Sequence, residues 1–285
     1  MHQEIDLLVN AIDSLKQDQN VFKDYLFPVA SALFTSLLGA GIAFFTLRHQ
    51  EWVQIEKQKM DTTNKWTLLA EEARSSLIAI KGNYNERLTD NPFQRMGAVP
   101  SILFHADPIV VRYEELSFII SKASPNSTDP EKWSQIPRIR AMISNYNYVL
   151  ELWKQRNQIE RPIRESIIAK SGGQAYVNMD QTTLMKLVSG AELSLVIDLT
   201  ERLIRLTDDL IIELDDFLSK FPEMAKSLIN TKRLKRYGVV LKYSNNGNQL
   251  LLDLIKKTPG VDYSTVEELF GESSEQLRQR HSTGY

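Results

Sequence analysis

Helices account for nearly the whole of this 285-residue sequence, and one of them is suited to lipid. Three features carry that reading. Tyr25 to Leu47 is a run of 23 residues without a charge. No glycine or proline interrupts Ile42 to Ile80. Val196, Leu199, Leu203, Leu206, Leu210, Leu214 and Phe217 recur at spacings of three and four, the signature of one helical face. The expected architecture is all-α: a single N-terminal transmembrane helix continuing into a stalk and a cytoplasmic multi-helix bundle. Its expected parts are a short extracytoplasmic amphipathic tail (1–24), the transmembrane helix (25–47), a helical stalk (48–83) and the bundle (84–285).

The tail comes first. Ile5, Leu8, Ile12 and Leu15 fall at helical spacing, so Glu4 to Lys16 reads as an amphipathic helix resting on the membrane or on its own copy. The apolar run that follows would span roughly 35 Å as a helix, enough for a hydrocarbon layer of about 30 Å. Pro28 falls in its first turn, where a missing N–H costs nothing. Ser31, Thr35, Ser36 and Thr46 can return their hydroxyls to the carbonyl one turn back. Tyr25 and Trp52 flank the run, where amphipathic rings favour the interface. The acidic residues before it and the absence of a small-residue cleavage site argue against a cleaved signal peptide. Arg48, Lys57, Lys59 and Lys65 follow it, which puts the N-terminus outside and the C-terminal domain in the cytoplasm of a plasma (inner) membrane protein.

Beyond the span, "EKQKMDTTNK" is polar all round except for Met60 and reads as a bare stalk. Trp66, Leu69, Ala73, Leu77 and Ile80 then repeat at helical spacing as the helix enters the bundle. A break from Gly82 to about Asp107 holds the apolar patch "GAVPSILF". Asp107-Pro108 and Asp129-Pro130 both look like helix starts, with proline at the first helical position. Ile139, Ile143, Tyr146, Leu150 and Trp153 mark the face of the next helix, bent near Pro137 and again near Pro162. "SGGQAYVNMD" reads as a loop ending on a helix cap at Asp180, and the longest bundle helix is expected over Gln181 to Lys220. "YGVVLKYSNNGNQ" is the one strand-like segment, with no partner strand in sight. A helix from Leu250, a capping box at Ser264 and Glu267, and a frayed end "RQRHSTGY" complete the chain.

Composition narrows the chemistry. The chain has no cysteine, which removes disulfides, thiolate nucleophiles and Cys-ligated zinc. A formal charge of −2 is no footprint of a general nucleic-acid binder. His2, His49, His105 and His281 are scattered, and no P-loop, GxGxxG, HExxH or GxSxG motif occurs. No cofactor, no metal site and no catalytic residue is expected. Asp208, Asp209, Asp215 and Asp216 do line one helical face, and an all-α enzyme could hold Mg²⁺ on such a face. That chemistry needs a second acidic motif, which is missing, so a solvated bundle face is the plainer reading.

Two features remain as sites. Ala32, Ser36 and Ala40 recur every fourth residue of the span, with Gly39 and Ala43 on a neighbouring face. Small residues at that spacing let two helices approach closely in lipid, which makes a homo-oligomer the expected state. The second is a stretch without acids from Ser227 to Leu252, carrying Lys232, Arg233, Lys235, Arg236 and Lys242 with Tyr237 and Tyr243. It could balance the Asp208–Asp216 face, touch anionic lipid or a cytoplasmic protein partner, or hold nucleic-acid phosphates, in that order of expectation. The function expected is a non-enzymatic interaction or signalling module, self-associating through its span. A pore-type effector is the first rival, weakened because Leu38 and Ile42 follow Thr35 down its face, and a Mg-dependent enzyme the second.

Overall fold

The structure, a computed structural model, describes residues 2–17, 22–120, 131–170, 181–234, 237–245 and 247–282. Among these residues every regular element is helical and no strand occurs. The helices are α1 (His2–Gln17), α2 (Phe27–Lys81), α3 (Pro92–Ala98), α4 (Ile136–Lys170), α5 (Gln181–Leu187), α6 (Gly190–Ser227), α7 (Gln249–Ile255), α8 (Glu267–Phe270) and α9 (Ser274–Arg280). The chain divides into two compact units, Met1–Lys57 and Gln58–Tyr285, and α2 contributes residues to both.

In the first unit, α1 matches the expected amphipathic helix, and Ile5, Leu8 and Ile12 are exposed on it. A π-helical turn at Phe22–Leu26 leads into α2, with Pro28 in the first turn as anticipated. The Thr35 hydroxyl donates to the Ser31 carbonyl at 2.6 Å. That removes an unsatisfied donor from the apolar segment.

The second unit is a helical bundle built on α4 and α6, which pack together most extensively. Trp66, Ala70, Ala73, Leu77 and Ile80 of α2 enter its core beside Trp133, Tyr146, Trp153, Leu203, Leu210 and Phe217. A second cluster gathers Met96, Leu193, Val196 and Ile197 with Tyr263, Val266 and Leu277 from the C-terminal segments. The face expected on the longest helix is buried throughout, except that Leu206 is half-buried.

Several local expectations are corrected. The long helix does not start at Gln181: α5 stops at Leu187 and α6 restarts at Gly190 behind a capping box, Ser189 with Glu192. The Ser264–Glu267 box does not form. Asp262 caps the turn at Tyr263–Val266, and Glu267 instead accepts from the Ser274 amide at 2.6 Å. The real C-terminal box is Ser273 with Gln276. Pro137 sits in the first turn of α4 and Pro162 inside the continuous helix, so neither ends it. The Asp129 start, the 171–180 loop and Asp180 lie outside the described residues.

No helix begins at Pro108, and "GVVLKYSN" forms no strand. Both segments lack regular secondary structure, and asparagines on neighbouring helices take up their backbone groups. Asn147 accepts from the Ile109 amide at 2.8 Å and donates to its carbonyl at 2.9 Å. Asn157 does the same for Ile102, at 3.3 and 2.8 Å. On α2, Asn64 donates to the Val239 carbonyl at 3.0 Å and accepts from the Leu241 amide at 2.9 Å. A carboxamide has the donor and acceptor of a peptide group, so each asparagine satisfies backbone that a partner strand would otherwise satisfy.

Candidate functional site: a basic segment on α2

The stretch of α2 expected to be bare is covered. Met60 and Thr63 are buried. The segment from Tyr237 lies over them, clamped by Asn64 and by the Tyr237 hydroxyl, which donates to Asp61 at 2.5 Å. The phenol is raised in pKa, first through that hydrogen bond. Further along, the Arg74 guanidinium lies 4.1 Å from the centre of the Tyr243 ring and donates to Asn245 at 3.3 Å. Asn245 in turn donates to Asp215 at 2.7 Å. The strap therefore ties α2 to α6 within the second unit.

Cations stand around this strap. Lys226, Thr231, Leu234, Val239, Val240, Leu241 and Lys242 line, with Met60, a groove of about 600 Å³. Lys232 is exposed in the turn Thr231–Leu234, and Lys242 meets Glu223 at 3.1 Å with both side chains well exposed. Lys235 and Arg236 lie outside the described residues, as does the side chain of Arg233. Beside the lysines stand exposed apolar residues, Val239 most of all at 75% exposure, with Leu228 and Tyr237.

The acids that this basic run was expected to balance take their cations from elsewhere. On α6, Asp208 meets Lys81 at 2.7 Å and also accepts from the amide and hydroxyl of Thr258. Asp209 meets Lys257 at 2.5 Å and Asp215 meets Arg74 at 2.6 Å. Asp216 is held by Lys132 at 2.9 Å and Lys220 at 2.5 Å, and Glu213 also faces Lys132. Burial pushes Asp216 up, yet the hydrogen bonds and charges of Lys220 and Lys132 outweigh it and hold the carboxyl below its ordinary value. The face is engaged in ion pairs rather than left to solvent. Each carboxylate is occupied, and among the described residues no group of three His, Asp or Glu could hold an ion.

Two more acids of α6, Asp198 and Glu201, are interior, although each stands four residues before an arginine, Arg202 or Arg205, the spacing of an exposed helical ion pair. Glu201 is buried and meets the buried Arg95 of α3 at 2.7 Å; burial raises its carboxyl ahead of the lowering by that arginine. Asp198 meets Arg280 at 2.9 Å and faces His281 Nε2 at 3.0 Å. Burial pushes this aspartate up, but the His281 hydrogen bond and the Arg280 charge prevail and hold it below its usual value. His281 is buried, with its Nδ1 at 2.8 Å from the Leu277 carbonyl and its ring stacked on Tyr263. The end read as frayed is docked through Ser282 by these contacts. An aspartate eighty-three positions upstream is the partner, which no sequence spacing announces.

The small residues of the span, Ala32, Ser36, Gly39, Ala40 and Ala43, are exposed on α2. Their spacing in one uninterrupted helix places Ala32, Ser36 and Ala40 on a common face. A methyl group built on Gly39 would meet nothing. No family model, no curated protein and no solved structure matches the chain.

Proposed function

We propose that this is a single-pass membrane protein, N-terminus out, whose cytoplasmic helical bundle serves as a non-enzymatic interaction module and which self-associates through its span. One observation carries the reading. In α2, a segment long and apolar enough to cross a bilayer has every large side chain exposed, with none of the segment buried. Leu33, Phe34, Leu37, Ile42 and Phe45 facing water on every side would be costly, whereas hydrocarbon removes that cost. The helical hydrogen bonds satisfy the backbone there, as a lipid environment demands. The basic residues after Leu47 support the orientation.

The interaction role is favoured by what the acids of α6 do. Most of them are engaged in ion pairs that join α6 to the rest of its unit, which argues against diphosphate chemistry on the acidic face. The pore reading loses ground because the Thr35 hydroxyl is turned back onto its own helix. A reporter that matures only in the cytoplasm, fused after Tyr285, should fluoresce in cells, and the membrane fraction should retain the fusion after carbonate washing. A soluble fusion would sink the anchor. A membrane-bound but dark fusion would reverse the orientation.

A further inference from the structure

We infer that the face formed by Lys226, Lys232 and Lys242 around Val239 and Leu228 docks on anionic lipid headgroups. The inference rests on the membrane-anchor reading and gives its basic segment a ligand. Charge accounting is the first argument. Among the described residues the acids of the Asp208–Asp216 face pair with Arg74, Lys81, Lys132, Lys220 and Lys257, and none of Lys226, Lys232 and Lys242 serves as their counter-charge. Between Ser227 and Leu252 the sequence contains no acid. Glu223, which faces Lys242, is as exposed as the lysine, and water screens such a pair.

Chemical mix is the second argument. Leu228, Tyr237 and Val239 are exposed and alternate with the lysines along the sequence. Cationic heads beside exposed apolar side chains fit the headgroup boundary, where ammonium groups meet phosphates and the apolar groups enter the outermost hydrocarbon. The segment is also held in shape before any ligand arrives, because Asn64 fixes the backbone at Val239 and Leu241 and Asp61 fixes Tyr237. Little ordering cost then remains on docking. Position along the chain supplies the third argument. The strap is fastened to residues 59–64 of α2, which follow the apolar run at Leu47 by only a dozen or so positions. A chain tethered to a bilayer meets that bilayer's headgroups at high effective concentration.

The chain has no cysteine, so single dye sites can be placed cleanly in the full-length protein. Val239→Cys labelled with an environment-sensitive dye reads the proposed face, and Phe45→Cys reads insertion of the span. Both are reconstituted into vesicles of phosphatidylcholine alone or with 30% phosphatidylserine. Dye at position 239 should shift to the blue only in the phosphatidylserine vesicles, and the shift should vanish in 0.5 M salt. Replacing Lys226, Lys232 and Lys242 with Gln, with helicity checked by circular dichroism, should lower the docked fraction about fivefold per lysine at equal insertion. An unshifted dye at 239 with a buried dye at 45 overturns the docking and leaves the anchor standing. Equal shifts in both vesicles overturn recognition of charge. A shift produced in neutral vesicles by a single-stranded oligonucleotide reassigns the face to nucleic acid. A dye at 45 that stays in water in both vesicles removes the anchor and the docking with it.

Discussion

α2 uses its apolar residues in two different ways. From Phe27 to Leu47 they surround the helix and stand exposed, Leu38 by 49% and Phe45 by 72%. From Trp66 to Ile80 they form one stripe, and Leu77 is wholly buried against protein. Polar residues follow suit. In the first stretch the hydroxyls have only their own helix to bond to, as Thr35 does. In the second, Arg74 and Lys81 reach acids on α6. The same secondary structure is thus suited to two solvents, and the difference lies in whether the apolar pattern has a period. A stripe suits a protein partner, while an all-round apolar surface suits the lipid of the proposed anchor.

The comparison breaks most sharply if both leucines are cut to alanine. Leu77→Ala should destabilise the bundle by about 2–5 kcal/mol, because packing around a fully buried site relaxes only partly. Thermal unfolding of the detergent-solubilised protein measures it, and flotation with vesicles should be unchanged. Loss of less than about 1 kcal/mol would mean that this stripe is not part of a packed core. The second effect comes from charge. Leu38→Arg should cost about 2.5–3.5 kcal/mol of insertion at the centre of a span, lowering the membrane-bound fraction, while the bundle melts as before. Normal membrane retention of this variant would count heavily against the lipid assignment.

Acid should separate the two stretches without mutation. Asp198 and Asp216 are held below their ordinary values, by partners that outweigh the burial acting in the other direction. Their folded pKa is lower than the unfolded one, so the stability they contribute is complete above about pH 4 and drains away as pH falls through the folded values. Glu201 has the opposite sign, since burial raises it, and its ionised form is the costly one. The two lowered aspartates should prevail in the melting temperature, which should drop between pH 4 and pH 2. No residue from Leu26 to Leu47 titrates, so flotation should persist over the same range. Flotation lost in step with the melting transition would show that insertion depends on the folded bundle.

Much of this was legible in sequence because it rests on local pattern. The stripe at Leu77 and the face from Val196 to Phe217 are periodicities, the uncharged run is the lack of one, and all three fall in helical segments. What escaped depends on contacts between distant residues. An acid such as Glu201 looks like half of an i,i+4 pair until α3 brings Arg95 to it across 106 positions. Asn64, Asn147 and Asn157 look like ordinary polar helix residues, yet they replace strands that the β-rich segment at Val239 and the irregular chain at Ile102 and Ile109 lack. Nothing in their spacing separates them from the other polar positions of α2 and α4. The break between α5 and α6 was also written locally, in Ser189 and Glu192, and a longer apolar periodicity masked it. For the basic run, sequence could show only the lack of acids. That its counter-charge lies elsewhere required the ion pairs of α6.

The smallest effect discriminates among the environments of the span. Leu38→Ala removes the same atoms as Leu77→Ala, but in hydrocarbon the side chain is surrounded by fluid chains that close the gap, leaving no fixed cavity. The cost should be about 0.3–0.6 kcal/mol of insertion, the contribution of one leucine at the centre of a spanning helix. It should be detectable only when insertion is made marginal, for example in a Leu33→Arg background. Leu38 also lies away from the Ala32, Ser36 and Ala40 face, so crosslinking of the full chain should not change. Ser36→Leu on that face, in contrast, should weaken association by about 1–2 kcal/mol. A Leu38→Ala cost near that of Leu77→Ala would mean that protein, not lipid, covers this side of the helix. Reduced crosslinking in Leu38→Ala alone would move the self-association interface from the small residues to the leucine face.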